Sequence, residues 1–367
     1  MSDLILDGSK IGWHMDRVEA WERGERIAPI TIDMALTRAC DASCHFCYAM
    51  LQENDRHEIT QEVIESFLED SARMGVRGIS FVSDGESIIS PVYEYAVNRG
   101  RELGISMASG TNGHRFNGDI LKSVLPNLTY LRFNVSAGTK DRYCDIMGVK
   151  PAFYDRVIRN IKEAVRIKEN NNLNVTLGIQ MVLMPEDADQ IIPFARLGKE
   201  LGVDYAVIKH CSDDEYGGLG VNYEKYSELD SVLEEAESLS TDSYSCVVKW
   251  SKIQEEGKRD YQQCYGPPFL IQLSGSGLVA PCGMLFNDRY AKFHIGNICE
   301  DRWWDIWNSD RYWRVMNHLK STHFDAQRMC GSLCIQHKTN QALDRHMQGV
   351  HRLAEANGSI PEHVNFV

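Results

Sequence analysis

Between Pro29 and Lys209, short apolar runs alternate with amphipathic helical stretches, and this alternation leaves the chain few ways to fold. Strands separated by helices pair in parallel, each helix crossing back over the sheet. The strands read as Ile30–Leu36, Gly78–Val82, Ile105–Ala108, Leu128–Val135, Val175–Leu183 and Tyr205–Lys209. After the first, Thr60 can cap a helix whose Val63, Ile64, Phe67, Leu68 and Met74 form one apolar face, with Gly75 and Gly78 punctuating its end. A second such helix runs from Phe153 to Ile167. The fold class is therefore α/β, with six βα units in a parallel sheet that either stays open or curls into an incomplete barrel. In both cases ligands sit beyond the carboxyl ends of the strands, so motifs directly after strands matter most.

The rest of the chain is organised differently. After the loop Ser212–Val221 comes a helix near Tyr223–Leu239, and then a polar segment, Ser238–Ser245, that reads as a linker. Phe269–Leu273 and Leu278–Ala280 flank Ser274-Gly-Ser-Gly277, a hairpin signal, and aromatic helices follow from Trp303 to Leu319. The expected organisation is an N-terminal extension (1–28), a barrel (29–222), linker helices (223–260), a smaller cysteine-bearing domain (261–340), and a C-terminal helix and tail (341–367).

Charge narrows the partners. Lys and Arg total 39 against 52 Asp and Glu, a net charge of −13, with no basic run, which argues against nucleic acid. No apolar stretch approaches the roughly 20 residues that span a bilayer, and Met1-Ser-Asp-Leu-Ile-Leu-Asp7 lacks the regions of a signal peptide. A cytoplasmic protein without a membrane partner is expected. In that reducing compartment disulfides explain 11 cysteines poorly, and metal or redox chemistry explains them better.

The first strand is followed at once by Cys40-Asp-Ala-Ser-Cys44-His-Phe-Cys47. Three thiolates in one tight loop can bind three corners of a cubane iron–sulfur cluster and leave the fourth iron open, whereas structural sites fill every position. The alternative is zinc on these thiolates with His45 as fourth ligand. After the second strand stands Ser83-Asp84-Gly85-Glu86-Ser87, where Gly85 permits close backbone approach and the acceptors suit a cationic amine. On the fourth strand Asn134 and Ser136 share one face at period two, suited to hydroxyl or carboxylate hydrogen bonds.

On these motifs the chain resembles the radical S-adenosylmethionine (SAM) superfamily, whose signature CxxxCxΦC is matched with Phe46 as the aromatic. The resemblance implies a partial (β/α)6 barrel and a 4Fe-4S cluster on Cys40, Cys44 and Cys47. It further implies SAM on the open iron, cleaved to a 5'-deoxyadenosyl radical that takes hydrogen from an unactivated carbon. By the same resemblance Gly85 and Glu86 match a GGEP segment that faces the SAM ammonium, with Asp84 and Ser87 departing from it. Asn134 and Ser136 would meet the ribose or the carboxylate, and Met181 would lie on the adenine-contacting strand. The family's frequent Arg before Gly148 is replaced by Met147.

Downstream, Cys264, Cys282, Cys330 and Cys334 supply four thiolates from a hairpin and a distant loop, fit for a fully ligated cluster or for zinc. This pattern resembles the SPASM domain in its shortened, twitch form, which implies one auxiliary 4Fe-4S cluster. Trp303-Trp-Asp-Ile-Trp307 is expected to pack that small domain. Among the other cysteines, Cys211 follows the sixth strand in Lys209-His210-Cys211-Ser212-Asp213-Asp214-Glu215, at the expected barrel mouth. Its thiol could return hydrogen to a substrate radical, and His210 or Asp213 could take a proton.

The motif order resembles the twitch-type aminocyclitol dehydrogenases. The expectation is an oxidoreductase or epimerase acting on a small polar molecule such as an amino sugar or cyclitol, with a flavodoxin or ferredoxin as electron donor. A peptide or protein side-chain maturase of the SPASM type is the alternative, disfavoured because only about 28 residues precede the first strand for a leader-binding domain. A zinc-stapled binding protein is the alternative from another class.

Overall fold

The computed structural model describes residues 9–54, 57–332, 334–356 and 358–367; residues 1–8 of the expected N-terminal extension lie outside them. In chain order the elements begin α1 (Met15–Glu22), β1 (Thr31–Met34), α2 (Gln61–Met74), β2 (Gly78–Phe81), α3 (Tyr93–Glu102), β3 (Ser106–Thr111), α4 (Gly118–Val124), β4 (Leu128–Asn134) and α5 (Lys140–Met147). Next come α6 (Pro151–Asn170), β5 (Thr176–Leu183), α7 (Ile191–Leu201), β6 (Tyr205–His210), α8 (Asp230–Glu237), β7 (Ser245–Val248) and α9 (Trp250–Gln254). The C-terminal part holds β8 (Leu270–Leu273), β9 (Leu278–Ala280), β10 (Gly296–Asn297), α10 (Trp303–Asn308), α11 (Asp310–Leu319), α12 (Ala326–Met329) and α13 (His337–Met347). They form two compact units, one of Met1–Ala39, Ala49–Ala108 and Lys258–Val367, the other of Cys40–Tyr48 and Ser109–Gly257.

In the first unit β1 is buried at every position but Asp33 and pairs in parallel on both sides. Thr31 lies opposite Gly78 of β2 and Leu270 of β8, and Met34 opposite Phe81 and Leu273. The hairpin β8–β9 forms where the Ser-Gly-Ser-Gly turn predicts it. Its parallel addition to β1 is a finding that alternation cannot foresee, because pairing between segments so far apart leaves no local pattern. The apolar face of α2 buries Ile64, Phe67 and Leu68. Its ends are set by Thr60, whose hydroxyl accepts from the Val63 amide at 3.4 Å, and by Gly75 at φ +86°. Trp303 is buried 5.9 Å from the Phe67 ring, as expected of a packing tryptophan. A second cluster joins Ile11, Val18 and Trp21 to Phe269, Leu270 and Leu343, tying α1 and α13 to β8.

In the second unit β4, β5, β6 and β7 run parallel in that order. Strand β7 was not expected: the segment read as a linker leads into a four-residue strand, too short to show a period. Helix α6 starts at Pro151, ahead of the expected Phe153, because proline suits the first helical turn. The fold is α/β with a mixed, mainly parallel sheet, consistent with a partial (β/α) barrel carrying a smaller C-terminal domain. Among the described residues no helix is long and apolar enough to cross a membrane.

Candidate active site

The cysteine loop belongs to the second unit, and α5 holds it. The Ser43 amide donates to the Met147 carbonyl at 3.0 Å and the His45 amide to Ile146 at 3.1 Å. Gly148, at φ +62°, follows so closely that a Cβ there would stand 2.4 Å from the Ser43 carbonyl oxygen. Met147, where the family frequently has Arg, sets its sulfur 3.7 Å from Cys44 Sγ. It supplies packing to the loop and no charge.

Two carboxylates fix the loop from either side. Asp41 receives Asn112 Nδ2 at 2.8 Å, His114 Nδ1 at 2.8 Å and Arg115 Nε at 2.7 Å. Burial opposes its ionisation, but these three donors outweigh that and hold the carboxyl below its usual range. Asn112 also stands 3.9 Å from Cys40 Sγ. On the other side His45 Nε2 donates to buried Asp187 at 2.8 Å, and Arg142 donates to the second Asp187 oxygen at 2.9 Å. The Asp187 hydrogen bond raises the His45 pKa, so the imidazole is committed to a carboxylate rather than gathered with the thiols as the zinc alternative requires. Neither clamp is visible in the sequence: Asp41 fills a variable position of the motif, and nothing marks Asp187 or Arg142 as partners of a loop so distant in the chain.

The residues after β6 meet the same loop. Cys211 is fully buried with Sγ 3.6 Å from the Phe46 carbonyl oxygen, and burial pushes its thiol up to about 12, so it stays protonated. Phe46 is itself buried. The His210 ring is buried with its centroid 5.8 Å from that of Tyr223 and 6.2 Å from that of Tyr226. Asp213 accepts backbone N–H groups from Asp214 at 2.8 Å, Leu219 at 2.9 Å and Val221 at 3.2 Å, which folds the following loop around its carboxylate.

Asn134 Oδ1 accepts from Gln180 Nε2 at 3.0 Å. Ser136, buried at φ +52°, accepts the Val182 amide at 3.2 Å, and Met181 is buried on β5 opposite Ile208 of β6. Gly85 and Glu86 belong to the first unit. A Cβ on Gly85 would stand 1.9 Å from the Thr37 carbonyl oxygen, while the Glu86 amide donates to Ala39 at 2.9 Å and its side chain is buried.

Also in the first unit, burial, and after it the charges of Cys330 and Cys334, push up the pKa values of the Cys264 and Cys282 thiols. Asn340 Nδ2 stands 3.6 Å from Cys264 Sγ, and the half-buried Arg259 guanidinium donates to the Gly331 and Ser332 carbonyls between Cys330 and Cys334. Among the described residues no three His, Cys, Asp or Glu side chains are gathered in a metal-holding arrangement. The chemistry of the donors nonetheless fits a cationic metal centre, since buried thiols ionise only when a cation compensates them, and four sulfurs suit iron–sulfur or zinc.

Comparison with known proteins agrees with this layout. The radical SAM superfamily model matches residues 34–198, and the model of an iron-sulfur cluster-binding domain, SPASM, matches residues 264–334. A probable GTP 3',8-cyclase of Saccharolobus solfataricus is 24% identical over 56% of this chain, and the match spans 64% of that protein. The mycofactocin maturase MftC of Mycolicibacterium smegmatis is 23% identical over 85% of this chain and 80% of its own length. Among solved structures, Streptococcus suis SuiB bound to S-adenosylmethionine superposes with a TM-score of 0.64 at 16% identity, covering 87% of this chain and 76% of SuiB. SuiB bound to its precursor peptide SuiA also matches, with a TM-score of 0.62 and 16% identity over 86% of this chain and 74% of SuiB.

The last match corrects the expectation of a small-molecule partner, because the likeness runs to a protein bound to its precursor peptide. The expectation leaned on a motif order resembling the aminocyclitol dehydrogenases and on how few residues precede β1. The chain carries a radical SAM domain followed by a C-terminal SPASM domain.

Proposed function

We propose that this enzyme oxidises a side-chain carbon of a peptide or protein. Three likenesses support a peptide substrate: the maturase MftC, SuiB with its precursor peptide, and the sporulation killing factor maturation protein SkfB of Bacillus subtilis, 22% identical over 83% of this chain. The observation that carries the reading is the presence in one chain of a three-thiol loop after β1 and four further thiols, Cys264, Cys282, Cys330 and Cys334, of which Cys282 is buried and the others half-buried. In this reading Cys40, Cys44 and Cys47 hold a 4Fe-4S cluster open to SAM, and Cys264, Cys282, Cys330 and Cys334 hold a fully ligated one. When bound, the first cluster and SAM supply a hydrogen-abstracting radical, and the second offers an acceptor for the electron that an oxidised substrate must lose.

The chain's own residues do the rest. Asp41 and Asp187 keep the loop rigid, and Gly85 lets the backbone of the Glu86 segment come close to a cationic amine. Asn134, Ser136, Met181 and Phe46 border the nucleotide. Cys211, His210 and Asp213, expected at the sequence level to act on substrate, have supporting roles in this reading. The thiol packs under Phe46, the imidazole lies among tyrosines, and the carboxylate builds a loop.

The test is anaerobic incubation of the reconstituted protein with SAM, a reductant and short peptides encoded beside its gene. The reading predicts a peptide that loses two hydrogens while deoxyadenosine accumulates. Turnover of amino sugars with peptides left intact contradicts it.

A further inference from the structure

Asp84 stands where the family segment has a glycine, and the structure shows what it does. Strand β1 lies between β2 and β8 in parallel register, so the loops leaving the three carboxyl ends run side by side. The middle loop, Thr37–Ala39, leads directly into Cys40. A Cβ on Gly85 would stand 1.9 Å from the Thr37 carbonyl oxygen, and one on Gly275 2.1 Å from the Thr37 carbonyl carbon, so two glycines press this backbone from opposite loops. Asp84, 6% exposed, fastens the outer loops together. Its Oδ2 accepts from Ser274 Oγ at 2.6 Å, its Oδ1 from the Gly275 amide at 2.8 Å, and Arg38 Nε lies 3.4 Å away. Ser276 Oγ extends the network by donating to Asn54 Oδ1 at 2.9 Å, and Arg38 donates to the Asn54 carbonyl at 2.8 Å.

We infer that Asp84 is a positioning residue: it latches the turn of the auxiliary-domain hairpin onto the segment Gly85–Glu86 and so sets the affinity for the amino-acid half of SAM. The hairpin that ends at Cys282 becomes part of the cofactor site through this latch. An aspartate with both oxygens taken inside a buried network holds its backbone to one conformation, and a glycine there would leave Gly85 and Glu86 to find their places on binding. The inference rests on the SAM reading above.

The test uses anaerobically reconstituted protein and equilibrium dialysis with two probes, SAM and methylthioadenosine, which lacks the amino-acid portion. Asp84→Ala is expected to weaken SAM binding about tenfold and leave methylthioadenosine unchanged. Ser274→Ala should shift SAM in the same direction by less, and Asp84→Asn, which keeps a hydrogen-bonding amide, should recover part of the loss. Should Asp84→Ala fail to fold, the other two variants carry the test. Equal weakening of both probes, or no change in either, overturns the latch while the SAM reading stands. Wild-type protein that binds no SAM overturns the SAM reading itself.

Discussion

At Gly85 a single missing methyl group decides a whole segment. Because a Cβ would meet a backbone oxygen at 1.9 Å, Gly85→Ala must push β1's exit loop aside, and a loss of about 3 kcal/mol in unfolding free energy is expected, measured by denaturant titration. Unchanged stability would show that the loops slide freely. Cys211 makes a different prediction. In the proposed reading its buried thiol, with Sγ 3.6 Å from the Phe46 carbonyl oxygen, supports the cysteine loop, so Cys211→Ala should still give the oxidised product. No deuterium should enter the reacting carbon from heavy water; an epimerised, deuterated product that disappears with the thiol would restore its catalytic role. The cysteine motifs stand out in the sequence by their spacing, and the radical SAM and SPASM models span them. The partners Asp41, His114, Asp187 and Arg142 were not, since a clamp needs only that two distant side chains meet.

Elements show the same division between local and non-local information. The ends of α2 could be read from Thr60 and Gly75, because capping is a contact with the next few residues. The seat of β8 against β1 could not, and neither could the contact of Asp70 on α2 with α10, where it accepts the Trp304 amide at 3.1 Å and pairs with Arg302. At the start of α1, His14 donates from Nε2 to the Val364 carbonyl at 2.8 Å while Nδ1 accepts from Arg77, an arrangement open only to the neutral ring. Burial, and after it Arg77, bring its pKa from 6.5 to about 4 against the raising effect of the Val364 carbonyl. The unfolded chain therefore takes up the proton first as pH falls. The stability this group contributes is complete above its unfolded pKa of 6.5 and is lost as pH drops toward about 4. Wild type should lose about 2 kcal/mol more than His14→Gln between pH 7 and pH 5. Parallel melting profiles for the two proteins would contradict this.

For the molecule as a whole, the two thiol sets make the iron-enzyme and zinc-staple readings separable by composition. Anaerobically purified protein should be brown and hold about eight irons if each set carries a 4Fe-4S cluster. Replacing Cys264 and Cys282 by Ala should remove about half of that iron and leave SAM-dependent chemistry impaired rather than absent at the first cluster. A colourless protein with about two zinc ions would mark a stapled binding protein instead. The partial barrel and the cysteine-bearing domain were legible from alternation and motif order. The substrate was not, because specificity lies in the shape of the barrel mouth, to which residues far apart in the chain contribute.

Everything functional here depends on homolytic cleavage of SAM at the loop Cys40–Cys47, and the most direct measurement is chromatographic detection of 5'-deoxyadenosine after reduction of the reconstituted protein with SAM present. The account predicts its formation in wild type and its complete loss in Cys44→Ala. Iron-replete wild type that binds SAM yet yields none, with or without peptides, would contradict it.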